Sequence, residues 1–166
     1  MDATVTDFFV YKGNKVKAEF FEIKSKDTMP NLPWKQVYAI CNLSGEVPVV
    51  FYADGHFSLP GGTTELGESV SDTLCREIEE ELNCRVISWT PLGYQKNTLD
   101  GVSDGYQLRV YAVLEKIGDF KADPAGSVIG YKLIGIDDLS RTIKWGKMSD
   151  HIQQLAKIHM GYNGNQ

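Results

Sequence analysis

Residues 69–84, Ser-Val-Ser-Asp-Thr-Leu-Cys-Arg-Glu-Ile-Glu-Glu-Glu-Leu-Asn-Cys, constrain this chain more than any other stretch. Ser69 is a good helix N-cap, and Asp72, three residues on, sits where a capping-box acid reaches back. Asn83 occupies the position after the last turn, where a left-handed residue commonly ends a helix. The spacing therefore predicts a helix over 69–82. At about 100° per residue, Val70, Leu74, Cys75, Ile78 and Leu82 cover an arc of roughly 140°. Glu77, Glu80 and Glu81 cover an adjoining arc of about 100°, and Glu79 points away from both. Such a helix must bury one side while holding three carboxylates along the edge of that side.

That edge is a poor choice for stability alone. Glu77/Glu80 and Glu77/Glu81 are like-charge pairs at i,i+3 and i,i+4, each costing about 0.2–0.5 kcal/mol. Glu80 and Glu81 also lie at the negative end of the helix dipole, which disfavours each by about 0.3–1 kcal/mol. Arg76 alone cannot neutralise three acids. A run of glutamates by itself reads as a solvated face, but Pro60-Gly61-Gly62 lies one short loop upstream. Glycines there permit close backbone approach, and a backbone carbonyl can add an oxygen ligand. Carboxylate and carbonyl oxygens suit a hard divalent cation, Mg²⁺ or Mn²⁺. Glu68, eight residues before Arg76, can pair with it and tie loop to helix.

Around this helix the chain reads as strands. Runs at 6–11 and 16–23 flank a turn at Gly13-Asn14, and 24–33, with Pro30 and Pro33, reads as a loop. Segments 37–41 and 47–52 join across Ser44-Gly45, and 57–59 runs into Pro60. Further strands are expected at 86–89, 92–96, 106–114 and 131–136. A closing helix is expected at 150–160, with Ser149 as cap, Gly161 as stop, and a frayed tail at 161–166. With 166 residues, 42% hydrophobic and 23% charged, the chain is long enough for one domain with its own core. A mixed-sheet α/β domain is the simplest assembly.

Composition narrows the function. A net charge of −5 argues against a general nucleic-acid backbone binder. No apolar run is long enough to span a bilayer, and the first residues lack a basic segment followed by an apolar one, so neither a membrane span nor a secretory signal is expected. Cys41, Cys75 and Cys84 show no Cys-x-x-Cys spacing and read as buried thiols of a reducing, cytoplasmic compartment.

Residues Gly62 to Cys84 resemble the Nudix box, Gly-x5-Glu-x7-Arg-Glu-U-x-Glu-Glu-x-Gly-U with U aliphatic. Gly62, Glu68, Arg76, Glu77, Ile78, Glu80 and Glu81 fall on its fixed positions; Asn83 replaces the second Gly and Cys84 the last aliphatic residue. The resemblance implies a Nudix-type α/β/α sandwich with a mixed sheet, here with an N-terminal β-hairpin. It implies hydrolysis of a nucleoside diphosphate linked to a group X, that is, a pyrophosphohydrolase acting on a small nucleotide rather than a nucleic-acid polymer. It implies that Glu77, Glu80, Glu81 and the Gly61 carbonyl hold Mg²⁺ or Mn²⁺, that Arg76 and Glu68 orient the carboxylates, and that Glu77 also handles the attacking water. The added hairpin is similar to strands through which some relatives form homodimers.

Outside the box the reading thins. Asp123, before Pro124, is the first candidate for a further acid, with Asp104, Glu115 and Asp119 behind it; each read singly is a surface acid, and none joins the site. In 106–114, Gln107, Arg109 and Tyr111 alternate with Leu108, Val110 and Ala112. That polar set reads either as a cleft lining, with Arg109 contacting phosphate and Gln107 also binding substrate, or as a wet sheet face. Trp34, Phe57, Trp89 and Trp145 are rings able to stack on a base or pack locally, and His56, His151 and His159 show no ligand spacing. Cleaning of the nucleotide pool, including oxidised nucleotides, is the favoured role. ADP-ribose or nucleotide-sugar cleavage and a non-catalytic nucleotide sensor are the alternatives.

Overall fold

The computed structural model describes residues 1–162, so the last four residues of the expected frayed tail lie outside it. Among the described residues nine strands and three α-helices follow in chain order: β1 Val5–Tyr11, β2 Asn14–Glu22, β3 Trp34–Asn42, β4 Val47–Tyr52, β5 Phe57–Ser58, β6 Gly61–Thr63, α1 Val70–Leu82, β7 Cys84–Leu99, β8 Val102–Lys116, β9 Val128–Ile134, α2 Leu139–Ile143 and α3 Lys147–His159. Six strands form a mixed sheet in the order β1-β2-β7-β8-β3-β6, and β5-β4-β9 form a second, smaller one. Only β3 and β8 run parallel in the large sheet.

Period-two alternation gives each face of the large sheet a helix. Val37, Ala39, Cys41, Leu108, Val110 and Ala112 point to Leu74, Ile78 and Leu82 of α1. Ala18, Phe20, Ile40, Leu92 and Tyr111 point the other way, to α2 and to Ile152 and Ala156 of α3. Burying one such large aliphatic side chain is worth about 1.5–3 kcal/mol, so these two layers are what hold the α/β/α sandwich together. Among the described residues no helix is long and apolar enough to cross a membrane.

Several expectations need correction. The first hairpin turns one residue earlier, through Lys12 and Gly13, both at positive φ, and Asn14 already pairs with Tyr11. Segments 86–89 and 92–96 are one strand, β7; Pro91, which has no N–H for the ladder, sits at a register shift that tolerates it. Gly61–Thr63 is a strand because it pairs with Gln36–Tyr38, which its own residues do not announce. Helix α3 starts at Lys147, and Ser149 is buried inside its first turn instead of capping it. Its first N–H is capped by Asp7 Oδ2 of β1, at 3.0 Å. In α1 Cys75 is exposed and Thr73 is buried in its stead, while Cys41 and Cys84 are buried as expected. The buried arc of α1 is thus rotated toward the glutamate edge, where β6 lies.

Candidate active site

Local sequence builds the first part of the site. Ser69 Oγ accepts the Asp72 N–H at 3.1 Å and the Asp72 carboxylate accepts the Ser69 N–H at 2.9 Å, so α1 starts where a full capping box places it. Asn83 ends the helix at φ 51°, ψ 47°, the left-handed state usually reserved for Gly. Its amide also donates to the Asp119 carbonyl at 2.8 Å, a bond Gly cannot make, which ties the helix end to the turn after β8.

The acidic edge of α1 faces Gly61 and Gly62. Glu81 is 4% exposed and accepts the Gly61 N–H at 2.7 Å. Arg76 donates to Glu68 at 3.0 Å, to Glu77 Oε1 at 3.0 Å, to Glu80 at 3.5 Å and to the Thr63 carbonyl at 3.0 Å. Backbone packing requires Gly61, and Gly62 leaves room for the Glu77 carboxylate where Arg76 holds it. A Cβ on Gly61, at φ 142°, would lie 2.1 Å from the Val37 carbonyl, and one on Gly62 would lie 2.3 Å from Glu77 Oε1. The three helix carboxylates do not meet at one point here: Arg76 holds Glu77 and Glu80 while Glu81 turns to the glycine backbone. Among the described residues no three acidic, imidazole or thiol side chains stand at ligand spacing.

Electrostatically the edge is short of positive charge. Burial pushes the Glu81 carboxyl up to about 8 despite the Gly61 N–H, and Glu77, Asp123 and Glu80 add to the shift. Burial also raises Glu77, against the pull of Arg76. Tyr52 is pushed up to about 12 by burial and by the Glu81 charge beside it. Asp123 contributes to the same field. It is 9% exposed, and its carboxylate accepts the Ala125 and Val128 N–H groups at 3.0 and 3.1 Å. The other acids considered with it pair on the surface: Asp104 with Lys35, Glu115 with Arg85 and Asp119 with Lys116. An acid cluster with glycine backbone pressed against it and one guanidinium for compensation fits a divalent cation by donor chemistry.

Arg109 and Gln107 lie apart from the glutamates, on the α3 face of the sheet. They line a cleft of about 790 Å³ between the sheet, the N-terminal hairpin and the residues joining α2 to α3. Arg109 is 3% exposed, so this side of β8 is not a wet face. Its guanidinium packs 5.1 Å from the rings of both Tyr38 and Trp145 and donates to Gln107 and Gln95 at 2.8 and 3.3 Å. Its Nη1 is buried without a partner among the described residues. Burial lowers its pKa to about 10, and no carboxylate offsets that shift. Tyr38 joins the two regions: it pairs with Gly61 in register, lines the cleft, and feels Arg109, Glu81 and Glu77 together.

Sequence reasoning missed Tyr38 and Tyr52, and also Gln36, Gln95 and Asn97 of the cleft. Gln95 and Asn97 repeat the alternation that marked Gln107 and Arg109, a usable signal; Gln36 joins them only through strand register. Of the other rings, Trp145 borders the cleft. Trp34 packs edge-on to Tyr94, Phe57 edge-on to Phe51, and Trp89 donates to Ser71 beneath Lys26. His56 pairs with Asp54, His151 bonds Glu22 at 2.8 Å, and His159 stacks on Tyr111.

Comparison with known proteins places these features in a wider set. The sequence model of the NUDIX domain matches residues 37–155. The solved Bacillus subtilis pyrophosphohydrolase BsRppH superposes with a TM-score of 0.68 at 23% identity, over 94% of this chain and 98% of its own. An ADP-ribose pyrophosphatase from Streptococcus suis gives 0.54 at 18% identity, over 78% and 92%. A MutT NUDIX hydrolase from Burkholderia pseudomallei gives 0.53 at 19%, over 72% and 95%. Among curated proteins no sequence matches.

Proposed function

The chain belongs to the Nudix family, and on that premise we propose that it is a divalent-metal-dependent pyrophosphohydrolase cleaving the phosphoric anhydride of a nucleoside diphosphate linked to a group X. One observation carries the reading: Glu77 and Glu81 lie against Gly62 and Gly61, Arg76 compensates Glu77 and Glu80, and the Asp123 charge reaches Glu81. Glu77, Glu80, Glu81 and the Gly61 carbonyl are the groups assigned to hold Mg²⁺ or Mn²⁺. When bound, the cation supplies neutralisation of the diphosphate charge and Lewis-acid polarisation of its phosphoryl oxygens.

The chain's own residues do the rest. Arg76 fixes Glu77 through Oε1, which leaves Oε2 to accept a proton from the attacking water. Glu68 anchors the other side of the Arg76 guanidinium, so its part is positioning. Arg109 and Gln107 offer hydrogen bonds to the nucleotide in the adjoining cleft. The substrate read first is a nucleoside triphosphate of the pool; oxidised nucleotides, ADP-ribose and nucleotide sugars complete the panel. A cytoplasmic setting is supported by the three unpaired cysteines.

The test is phosphate and pyrophosphate release across that panel with Mg²⁺ or Mn²⁺, repeated with Glu77→Gln and Glu81→Gln. Loss of turnover in both variants supports the roles given, and full turnover in both overturns them. Nucleotide binding with no product from any substrate would make the chain a sensor.

A further inference from the structure

The polarity of the cleft floor follows from one side chain. Arg109 is a donor at every nitrogen and has no acceptor. The amide oxygens of Gln107 and Gln95 must therefore face it, as they do at 2.8 and 3.3 Å. That turns their amide nitrogens outward along the sheet. Gln107 Nε2 donates to Gln36 Oε1 at 2.6 Å, and Gln95 Nε2 donates to Asn97 Oδ1 at 2.8 Å. The oxygens of Gln36 and Asn97 each keep one lone pair, and each residue keeps a whole NH₂ group with two donors. The series ends in donors on both sides, with the unpartnered Arg109 Nη1 between them. Four amides that could have been set either way are oriented by the guanidinium in their midst, and the unused groups of the floor are mostly donors.

We propose that this floor is a specificity site for an acceptor-only edge, and that in a nucleotide it selects a 6-oxopurine, whose O6 and N7 both accept. Adenine places an N6–H₂ donor where O6 would be, and cytosine places an N4–H₂ there; either leaves buried donors facing donors. The flanking rings of Tyr38 and Trp145 and a volume of about 790 Å³ suit a planar base with room for its sugar. The assignment rests on the nucleotide-hydrolase reading and adds to it which base the substrate carries. The same acceptor-only chemistry is also that of a phosphate group, so the test separates the two.

Equilibrium titration of the whole chain with GMP, IMP and AMP, without divalent cation and hence without turnover, reads the preference directly. GMP and IMP, which share O6 and N7, should bind about tenfold or more tighter than AMP. Gln36→Glu, at a half-exposed position, replaces one terminal donor with an acceptor and should remove most of that ratio, by weakening GMP and IMP binding more than AMP binding. Arg109→Gln should abolish the ratio; if it fails to fold, the Gln36 variant decides. Equal binding of all three nucleotides, no binding of any, or an unchanged ratio in Gln36→Glu overturns the proposal. So does pyrophosphate that displaces GMP as well as GMP displaces itself, which would make the floor an anion site. A hydrolase that fails every turnover assay but keeps the purine ratio would sink only the catalytic reading, and active enzyme without the ratio would sink only this one.

Discussion

Helices α1 and α3 have the same length, thirteen residues, and pack on opposite faces of one sheet, yet they end in opposite ways. Helix α3 carries Asp150 in its first turn and Lys157 and His159 in its last, the arrangement its dipole favours. Helix α1 carries Asp72 in its first turn but no basic residue in its last, where Glu79, Glu80 and Glu81 stand together. One of these, Glu81, is driven into a nearly water-free position. Packing and helix chemistry account for the last turns of α3, and Asp7 supplies the cap beside Lys147 at its start. They account for α1 only to its middle; its last turns trade stability for a concentration of negative charge, which is what a cation-binding function requires.

The contrast breaks first on activity. Glu77→Gln should lower kcat/KM by about 10²–10⁴-fold, the range lost when a proton-transfer group is removed, and Glu81→Gln should lower it through loss of a cation ligand, while circular dichroism stays native in both. If both variants turned over at the wild-type rate, the end of α1 would be merely a badly designed helix end. The counterpart on the other face is Ile152→Ala, which deletes a side chain 1% exposed under α3. Denaturant unfolding should register a loss of about 2–5 kcal/mol from the cavity, with kcat of the folded fraction unchanged. A change in kcat without loss of stability would remove the distinction between the two helices.

The next effect is smaller and sharpens the assignment of the cations. Mg²⁺ or Mn²⁺ at about a hundred times its Kd should stabilise the native chain by about 2.7 kcal/mol, seen as a rise in Tm. Glu81→Gln should lose that rise, and Ile152→Ala, though less stable, should keep it. Equal rises in all three proteins would place the cation somewhere other than α1.

What was legible in the sequence follows the same division. Helix α1 could be read with its caps because Ser69, Asp72 and Asn83 act on backbone within a few residues of themselves. The charged edge could be read because helical period fixes which side chains share a side. The start of α3 could not, since its cap comes from Asp7 in the first strand. Nor could β6, whose extended state is imposed by pairing with β3. Thr73 was buried in place of Cys75 because β6 covers the glutamate side of α1, a fact of packing rather than period. In the site, the contiguous run from Gly62 to Glu81 carries its own spacing, whereas the cleft floor is assembled from β3, β7 and β8 and exists only once their register is set. Asp123 stood between these cases: the residue was noticed, but its burial near Glu81 depends on how the loop before β9 folds back.

The smallest effect concerns the half of α1 that does obey helix chemistry. Ser69→Ala should cost about 1 kcal/mol, because it removes the acceptor for the Asp72 N–H and half of the capping box. The pH dependence has a defined sign. The Ser69 backbone N–H, and then its hydroxyl, hold the Asp72 carboxyl below its ordinary value of 3.8. A carboxyl so depressed contributes stability that is present above 3.8 and disappears as pH falls through the lower, folded value. Wild type and Asp72→Asn should therefore differ at neutral pH and converge in acid, as followed by urea unfolding at a series of pH values. A difference that persisted below that range would show that Asp72 acts through packing rather than charge, and that the start of α1, like the start of α3, is fixed from outside the helix.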